Sequence, residues 1–217
     1  MRKSSFLLTA VLTVAGVANA DVVTDTAGDF LSTLTPAAPR AGDLDVISTS
    51  VMLQGSNLLF SATLNAPINT TPDAFYVWGV DRGTRPSPGN FASLGLPNII
   101  FDAVVIVQNE GTGVVNDLTG VDSPFTLPAG SVTGSGNTID AVVPLSALPS
   151  RGFSVSSYGW NLWPRWGGIP FSDAQIADFA PDAADALVNV PAPEPATLVM
   201  LWAGLLGIAV AGARRRR

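Results

Sequence analysis

The sequence predicts an antiparallel β-sandwich between two apolar terminal segments, and three observations support this fold class. Apolar and polar residues alternate with a period of two over most of residues 21–187, which is typical of half-buried strands. The 21 glycines and 17 prolines favour many turns over long helices. No segment reads as an amphipathic helix except a short one near Asp173–Phe179. Eight or nine strands at this spacing indicate a jelly-roll-like sandwich.

The first 20 residues have the three parts of a secretory signal peptide. Arg2 and Lys3 form the basic start, residues 6–17 form the apolar stretch, and Ala18 and Ala20 frame the cleavage site. We therefore expect signal peptidase to cut after Ala20 and the body to be exported.

The first two strand signals form a hairpin around the turn "QGSN". Alternation places one set of side chains on a common inner face: Ile47, Thr49, Val51 and Leu53 before the turn, and Leu58, Phe60, Ala62 and Leu64 after it. The next segments, 74–81 ("AFYVWGVD") and 98–108 ("NIIFDAVVIVQ"), are apolar on both faces. They predict two central strands that are covered on both sides.

Four later segments supply the remaining strands of the predicted sandwich. In chain order they read "VVNDL", "SPFTLPAGSVTG", "NTIDAVVPLSAL" and "GFSVSSYGWNLW". The third places Ile139, Ala141, Val143 and Leu145 on one face. The sandwich domain is predicted to end at residue 187, before a Pro-rich linker at 188–195 that favours extended backbone.

The composition restricts the chemistry that this body could perform. The 217-residue chain contains no Cys and no His, so it lacks disulfides, thiolate metal ligands and the commonest general base. Residues 21–190 hold 16 acidic residues and five arginines, a net charge of −11, which disfavours nucleic acid as a partner. A nucleophile–base triad is excluded, and we expect no enzymatic activity. A hydrolase built on two carboxylates is the catalytic alternative.

The linker leads into an uncharged segment of 18 residues, 196–213. As a helix this segment would be roughly 27 Å long, just enough to cross a bilayer core. A buried core helix is the alternative. A basic cluster follows: Arg214, Arg215, Arg216 and Arg217. We expect it to be cytoplasmic, because arginines remain on the cytoplasmic side of a membrane helix.

Directly before this segment the linker carries the triplet Pro193, Glu194 and Pro195. Triplet, apolar helix and arginine cluster in this order resemble the PEP-CTERM sorting signal of Gram-negative bacteria. The resemblance implies an inner-membrane intermediate with the body in the periplasm, recognition by the membrane enzyme exosortase, and removal of the helix. The body would then reach the cell surface or the exopolysaccharide and biofilm matrix, where we expect a structural or adhesive role. A permanent membrane anchor is the alternative.

The body carries a second, looser resemblance. "DTAGD", then "GDLDVISTSVMLQGSNLLFSATL", then "FYVWGVD" is similar to the β-sandwich modules related to family-nine carbohydrate-binding modules and DOMON domains. The similarity covers roughly residues 21–145. It supports the sandwich fold and, more weakly, a carbohydrate ligand.

Acidic residues suggest a cation site near the start of the body. Asp25 and Asp29 flank a glycine, and Asp43 and Asp45 stand two apart at the start of a strand. Oxygen-rich loops of this kind suit Ca²⁺, so we expect a structural calcium ion there, with ordinary turn-capping by Asp as the alternative. A later acidic string is predicted to be solvated surface: Asp173, Asp178, Asp182 and Asp185.

Tryptophans suggest a second kind of site. Trp160, Trp163 and Trp166 lie within seven positions, and Trp rings stack on sugar rings. The alternative function is therefore a carbohydrate-binding module that uses these tryptophans, with or without Ca²⁺, to bind exopolysaccharide. Packing in the core is the other explanation of the three tryptophans. In a strand, Trp160 and Trp163 fall on opposite faces.

Overall fold

The predicted first hairpin is present, and it belongs to one of two large antiparallel sheets. The computed structural model describes residues 22–191. The hairpin strands are β2 (Val46–Gln54) and β3 (Asn57–Leu64). The first sheet has the order β1-β2-β3-β11-β10, and its other strands are β1 (Val23–Thr24), β10 (Val132–Ser135) and β11 (Thr138–Pro144).

The second sheet has six strands in the order β13-β12-β4-β7-β8-β9. They are β4 (Ala74–Asp81), β7 (Ala103–Gln108), β8 (Gly113–Asp117), β9 (Phe125–Thr126), β12 (Gly159–Trp166) and β13 (Ala186–Leu187). A separate two-stranded sheet pairs β5 (Gly89–Phe91) with β6 (Leu96–Phe101). Helical structure within residues 22–191 is limited to short 3₁₀ turns, at Gly42–Leu44, Ala92–Leu94, Leu145–Ala147, Val155–Ser157 and Asp173–Gln175.

The two large sheets pack face to face through one apolar core. Phe60 of β3 and Trp78 of β4 meet edge to face, with ring centroids 5.8 Å apart. Trp78 also donates from Nε1 to Oγ1 of Thr49 at 3.3 Å, which joins the two sheets by a buried hydrogen bond. The inner-face residues predicted for β3 are all buried. The mainly β, antiparallel class is therefore confirmed, and the sheet arrangement fits a sandwich.

The outer face of the second sheet is covered as well. Trp163 of β12 packs against Phe91 and Phe101 of the small sheet, with centroids 4.9 Å apart in each pair. Val77 of β4 and Val104 of β7 belong to the same outer core. This double covering explains why segments 74–81 and 98–108 are apolar on both faces.

Three details of the predicted strands are wrong. A bulge between Val46 and Ser48 shifts the register of β2, so Val46 is buried on the inner face in place of Ile47. The predicted strand 98–108 is two strands, β6 and β7, separated at Asp102. The predicted helix near residues 173–179 is a single 3₁₀ turn, Asp173–Gln175, followed by extended backbone.

The chain stays in contact with the sandwich as it leaves it. Val188 is buried, and the backbone N–H of Asn189 donates to the Val51 carbonyl at 2.9 Å. Pairing therefore continues two residues into the segment assigned above to the linker. No helix within residues 22–191 has the length and apolar character needed to cross a membrane. The predicted signal peptide, sorting triplet, membrane helix and arginine cluster lie outside the described residues.

Candidate functional site

Five carboxylates converge at one end of the sandwich, and we call them the acidic cluster: Asp25, Asp29, Asp45, Asp178 and Asp182. They form two overlapping groups that share Asp29. Carboxylate oxygens of Asp25, Asp29 and Asp182 lie within 4.8 Å of one another, and so do those of Asp29, Asp45 and Asp178. Residues more than 130 positions apart in the sequence thus supply one group of oxygen ligands.

Asp45 fixes the N-terminal loop to the first sheet. Its two carboxylate oxygens each accept a hydrogen bond from the backbone N–H of Gly28 at 3.0 Å. Oδ2 also accepts from Nδ2 of Asn65 at 2.8 Å. Gly28 has φ +85°, which glycine adopts without steric cost. The turn therefore brings Asp25 and Asp29 back over the start of β2.

Asp178 approaches the same place from the segment that follows β12. It is 2% exposed. Its Oδ2 accepts from the Val46 backbone N–H at 2.9 Å, and its Oδ1 accepts from the Phe179 N–H at 2.7 Å. Both oxygens are held in place by the backbone, so the carboxylate has a fixed orientation within the cluster.

The cluster favours either bound protons or a bound cation. Burial, followed by the neighbouring carboxylates, raises the pKa of Asp178 to about 8. Burial is also the largest cause that raises the pKa of Asp25 to about 7, and Oδ2 of Asp25 is enclosed without a hydrogen-bond partner. No arginine within residues 22–191 forms an ion pair with the cluster. Carboxylate oxygens without nitrogen or sulfur ligands suit a hard cation such as Ca²⁺.

The structure brings together three of the four aspartates predicted to bind calcium. Asp43 is the exception, and its assignment is corrected here. Its side chain is fully buried, and its oxygens accept from the backbone N–H of Thr71 at 2.7 Å and from the Thr71 hydroxyl at 2.6 Å. Asp43 therefore fixes the loop before β4 and is the kind of hydrogen-bonded loop aspartate that was the alternative.

Sequence reasoning missed Asp178 and Asp182 as members of the cluster. Asp178 was assigned to solvated surface, which is wrong because the side chain is buried. A signal was present in its neighbours: the segment 176–180 reads "IADFA", and its four apolar residues are each at most 1% exposed. A lone carboxylate inside an apolar run indicates a buried group with specific partners.

The three tryptophans do not form one exposed surface. Trp160 is 1% exposed and lies in the core between the large sheets, and Trp163 is 1% exposed in the outer core. Trp166 is partly buried beside Ala74 and Leu34. The predicted alternation of Trp160 and Trp163 is present, but both faces of the strand are covered. Trp160 and Trp163 therefore present no ring face on the outer surface of the protein on which a glycan chain could stack.

Comparison with known proteins gives no assignment. A scan against protein-family models finds no matching family, and searches of curated proteins and of solved structures find no match to this chain. The PEP-CTERM and carbohydrate-module resemblances therefore remain predictions from the sequence.

Proposed function

We propose that this chain is an exported, non-catalytic surface or matrix protein whose sandwich is stabilised by bound calcium. The observation that carries the proposal is the acidic cluster, which joins the N-terminal loop, the start of β2 and the segment after β12. A cation there would connect three distant parts of the chain. Extracellular calcium modules bind with Kd of about 10⁻⁴ to 10⁻³ M, so such a site would fill outside the cell and remain largely empty in the cytoplasm.

Delivery to that location is proposed from the two ends of the sequence. Signal peptidase would release the body into the periplasm, and exosortase would process the tail at or near Pro193–Pro195. The proposal also includes a jelly-roll-like connectivity of the sandwich, a signal helix within residues 1–20 and a membrane helix at 196–213. Mass spectrometry of the protein recovered from its host tests the route. We expect a mass that lacks residues 1–20 and Arg217, whereas a mature protein that retains Arg217 would support a permanent anchor.

A structural role fits the geometry better than hydrolysis. Glycosidases hold two carboxylates about 5–10 Å apart across a substrate cleft. In the acidic cluster the oxygens are closer, within 4.8 Å, and several are occupied by backbone N–H groups. The aromatic cavity described below has one carboxylate in its lining, that of Asp173. The cavity therefore lacks a pair of acids, and the acids within each group of the cluster are closer together than this spacing.

Calcium binding is tested directly by isothermal titration calorimetry on the full-length chain. We expect one Ca²⁺ per chain with Kd near the extracellular range, and weaker binding of Mg²⁺, which requires a smaller and more regular set of ligands. Asp29→Asn removes the residue shared by both groups and should abolish the heat signal. Asp73→Asn is the matched control, because Asp73 is exposed and belongs to neither group.

A further inference from the structure

A cavity lies on the outer face of the second sheet, beside the small sheet. Its volume is about 430 Å³, which falls in the range of small-molecule sites. The walls are mainly apolar and include Val77, Val104, Phe91, Phe101 and Trp163. One side of the cavity is formed by outer-core residues of β4, β7 and β12, which are paired strands of the second sheet.

The lining also contains one cationic side chain, that of Arg165. Arg165 of β12 lines the cavity and is 5% exposed, and burial lowers the pKa of its guanidinium. Its Nη2 donates to the Ser172 carbonyl at 2.7 Å, whereas its Nε has no hydrogen-bond partner. It forms none of the ion pairs found within residues 22–191, although Asp173 lines the same cavity. Asp173 acts on it only through space, where its charge raises the pKa of the guanidinium against the larger effect of burial. A buried charge without a direct ion pair is costly.

Trp163 supplies a second donor two residues earlier on the same face of β12. Its indole Nε1 is buried and has no hydrogen-bond partner, as is also true of Trp160 in the inner core, whereas Nε1 of Trp78 donates to Thr49. What distinguishes Trp163 is its position: its ring lines the same cavity as the Arg165 guanidinium, so an acceptor in the cavity could pair with both donors. Phe171, 82% exposed, covers the guanidinium at 4.4 Å from its ring centroid and adds an apolar surface at the opening.

We propose that this cavity binds a small organic anion, namely a compact aromatic or aliphatic body that carries one carboxylate. The apolar body would fill the space between Val77, Val104 and Phe101. The carboxylate would accept hydrogen bonds from Arg165 and from the Trp163 indole, and so would neutralise the unpaired cation. A sugar fits less well, because its many hydroxyls would meet a mainly apolar wall.

The probe is 3-phenylpropionate, with the neutral 3-phenylpropionamide as its matched ligand. Indole N–H signals of the full-length chain are followed by NMR, since the five tryptophans give five signals, and Trp163→Phe assigns the relevant one. We expect the acid to shift the Trp163 signal saturably and the Trp78 signal little. The amide should bind about tenfold or more weakly, because it lacks the charge.

Arg165→Met keeps the apolar stem, removes the charge and should abolish the preference for the acid. Arg40→Met is the control, because Arg40 is exposed and also lies over a phenylalanine ring, that of Phe30; it should retain the preference. Val104→Phe fills the cavity and should weaken both ligands. If Arg165→Met fails to fold, two measurements still test the proposal: the relative affinity of the unaltered chain for acid and amide, and the loss of binding in Val104→Phe. The proposal is overturned if the acid causes no saturable Trp163 shift, if the two ligands bind equally, or if a folded Arg165→Met keeps the preference.

Discussion

The backbone N–H of Val46 donates a hydrogen bond to Oδ2 of Asp178 at 2.9 Å, across 132 positions of sequence. Val46 begins the first long strand, and Asp178 lies in the segment that follows β12. The same carboxylate accepts from the Phe179 N–H. One side chain therefore satisfies two backbone donors and belongs to the acidic cluster.

Replacing this carboxylate should destabilise the fold even without calcium. Asp178→Ala leaves the buried Val46 and Phe179 N–H groups without their acceptor, so we expect a loss of about 2–4 kcal/mol in the free energy of unfolding. Denaturant unfolding in EDTA measures it. Asp182→Ala is the control, since Asp182 is exposed and belongs to the same cluster; it should change stability by less than about 1 kcal/mol. Equal losses in the two variants would contradict this role of Asp178.

A buried ion pair lies where the predicted strand 98–108 breaks. Arg82 and Asp102 are both fully buried, and Arg82 Nε donates to Asp102 Oδ1 at 2.7 Å. Arg82→Met would leave the buried carboxyls of Asp102 and Asp117 without their shared cation, at a cost of about 3–5 kcal/mol. Arg85→Met removes the pair with Asp81, in which the arginine is 48% exposed although the carboxylate is only 6% exposed, and should cost less than Arg82→Met because water reaches one partner. Chemical denaturation measures the free energy of unfolding of both variants. Equal losses would contradict the claim that the fold depends more on the buried Arg82 pair than on the partly exposed Arg85 pair.

Asp185 should make stability depend on pH. Burial, the largest cause, and the neighbouring Asp81 raise its pKa to about 7, although the Ile100 N–H and Arg85 act in the opposite direction. The folded state then holds a proton from about pH 4 to pH 7 that the unfolded chain releases, so stability falls as pH rises through this window. Asp185→Asn does not ionise and should avoid this part of the loss.

Thermal unfolding of both proteins in EDTA measures the difference. We expect similar Tm values at pH 4 and a Tm higher by about 3 °C or more for Asp185→Asn at pH 8. The titration of the acidic cluster is common to both proteins and cancels in the comparison. A Tm difference that stays constant from pH 4 to pH 8 would show that the Asp185 carboxyl does not titrate in this window.

Local sequence patterns were sufficient to predict the main strands, but they did not predict the bulge in β2 or the break between β6 and β7. The alternation in β3 and the two-sided apolarity of β4 follow from burial alone, and burial leaves a periodic trace in the sequence. The bulge at Ile47 and the break at Asp102 leave none. They depend on partners far along the chain, such as Arg82 for Asp102.

The residues of the candidate site were likewise only partly predictable from the sequence. Asp25, Asp29 and Asp45 are close in sequence, and their spacing indicated an oxygen-rich loop. Asp178 joins them only because the segment after β12 returns to the start of β2, which a single sequence does not reveal. The tryptophans were prominent by type, yet two of them are buried because both faces of the second sheet are covered.

Calcium-dependent thermal stability tests the central claim most directly. In about 5 mM CaCl₂ the Tm of the full-length chain at pH 7.5 should exceed that in EDTA by about 3–8 °C. Asp29→Asn should lose this difference, and Asp73→Asn should retain it. Equal Tm values for the unaltered chain in CaCl₂ and EDTA, or a full calcium shift in Asp29→Asn, would contradict a calcium site in the acidic cluster.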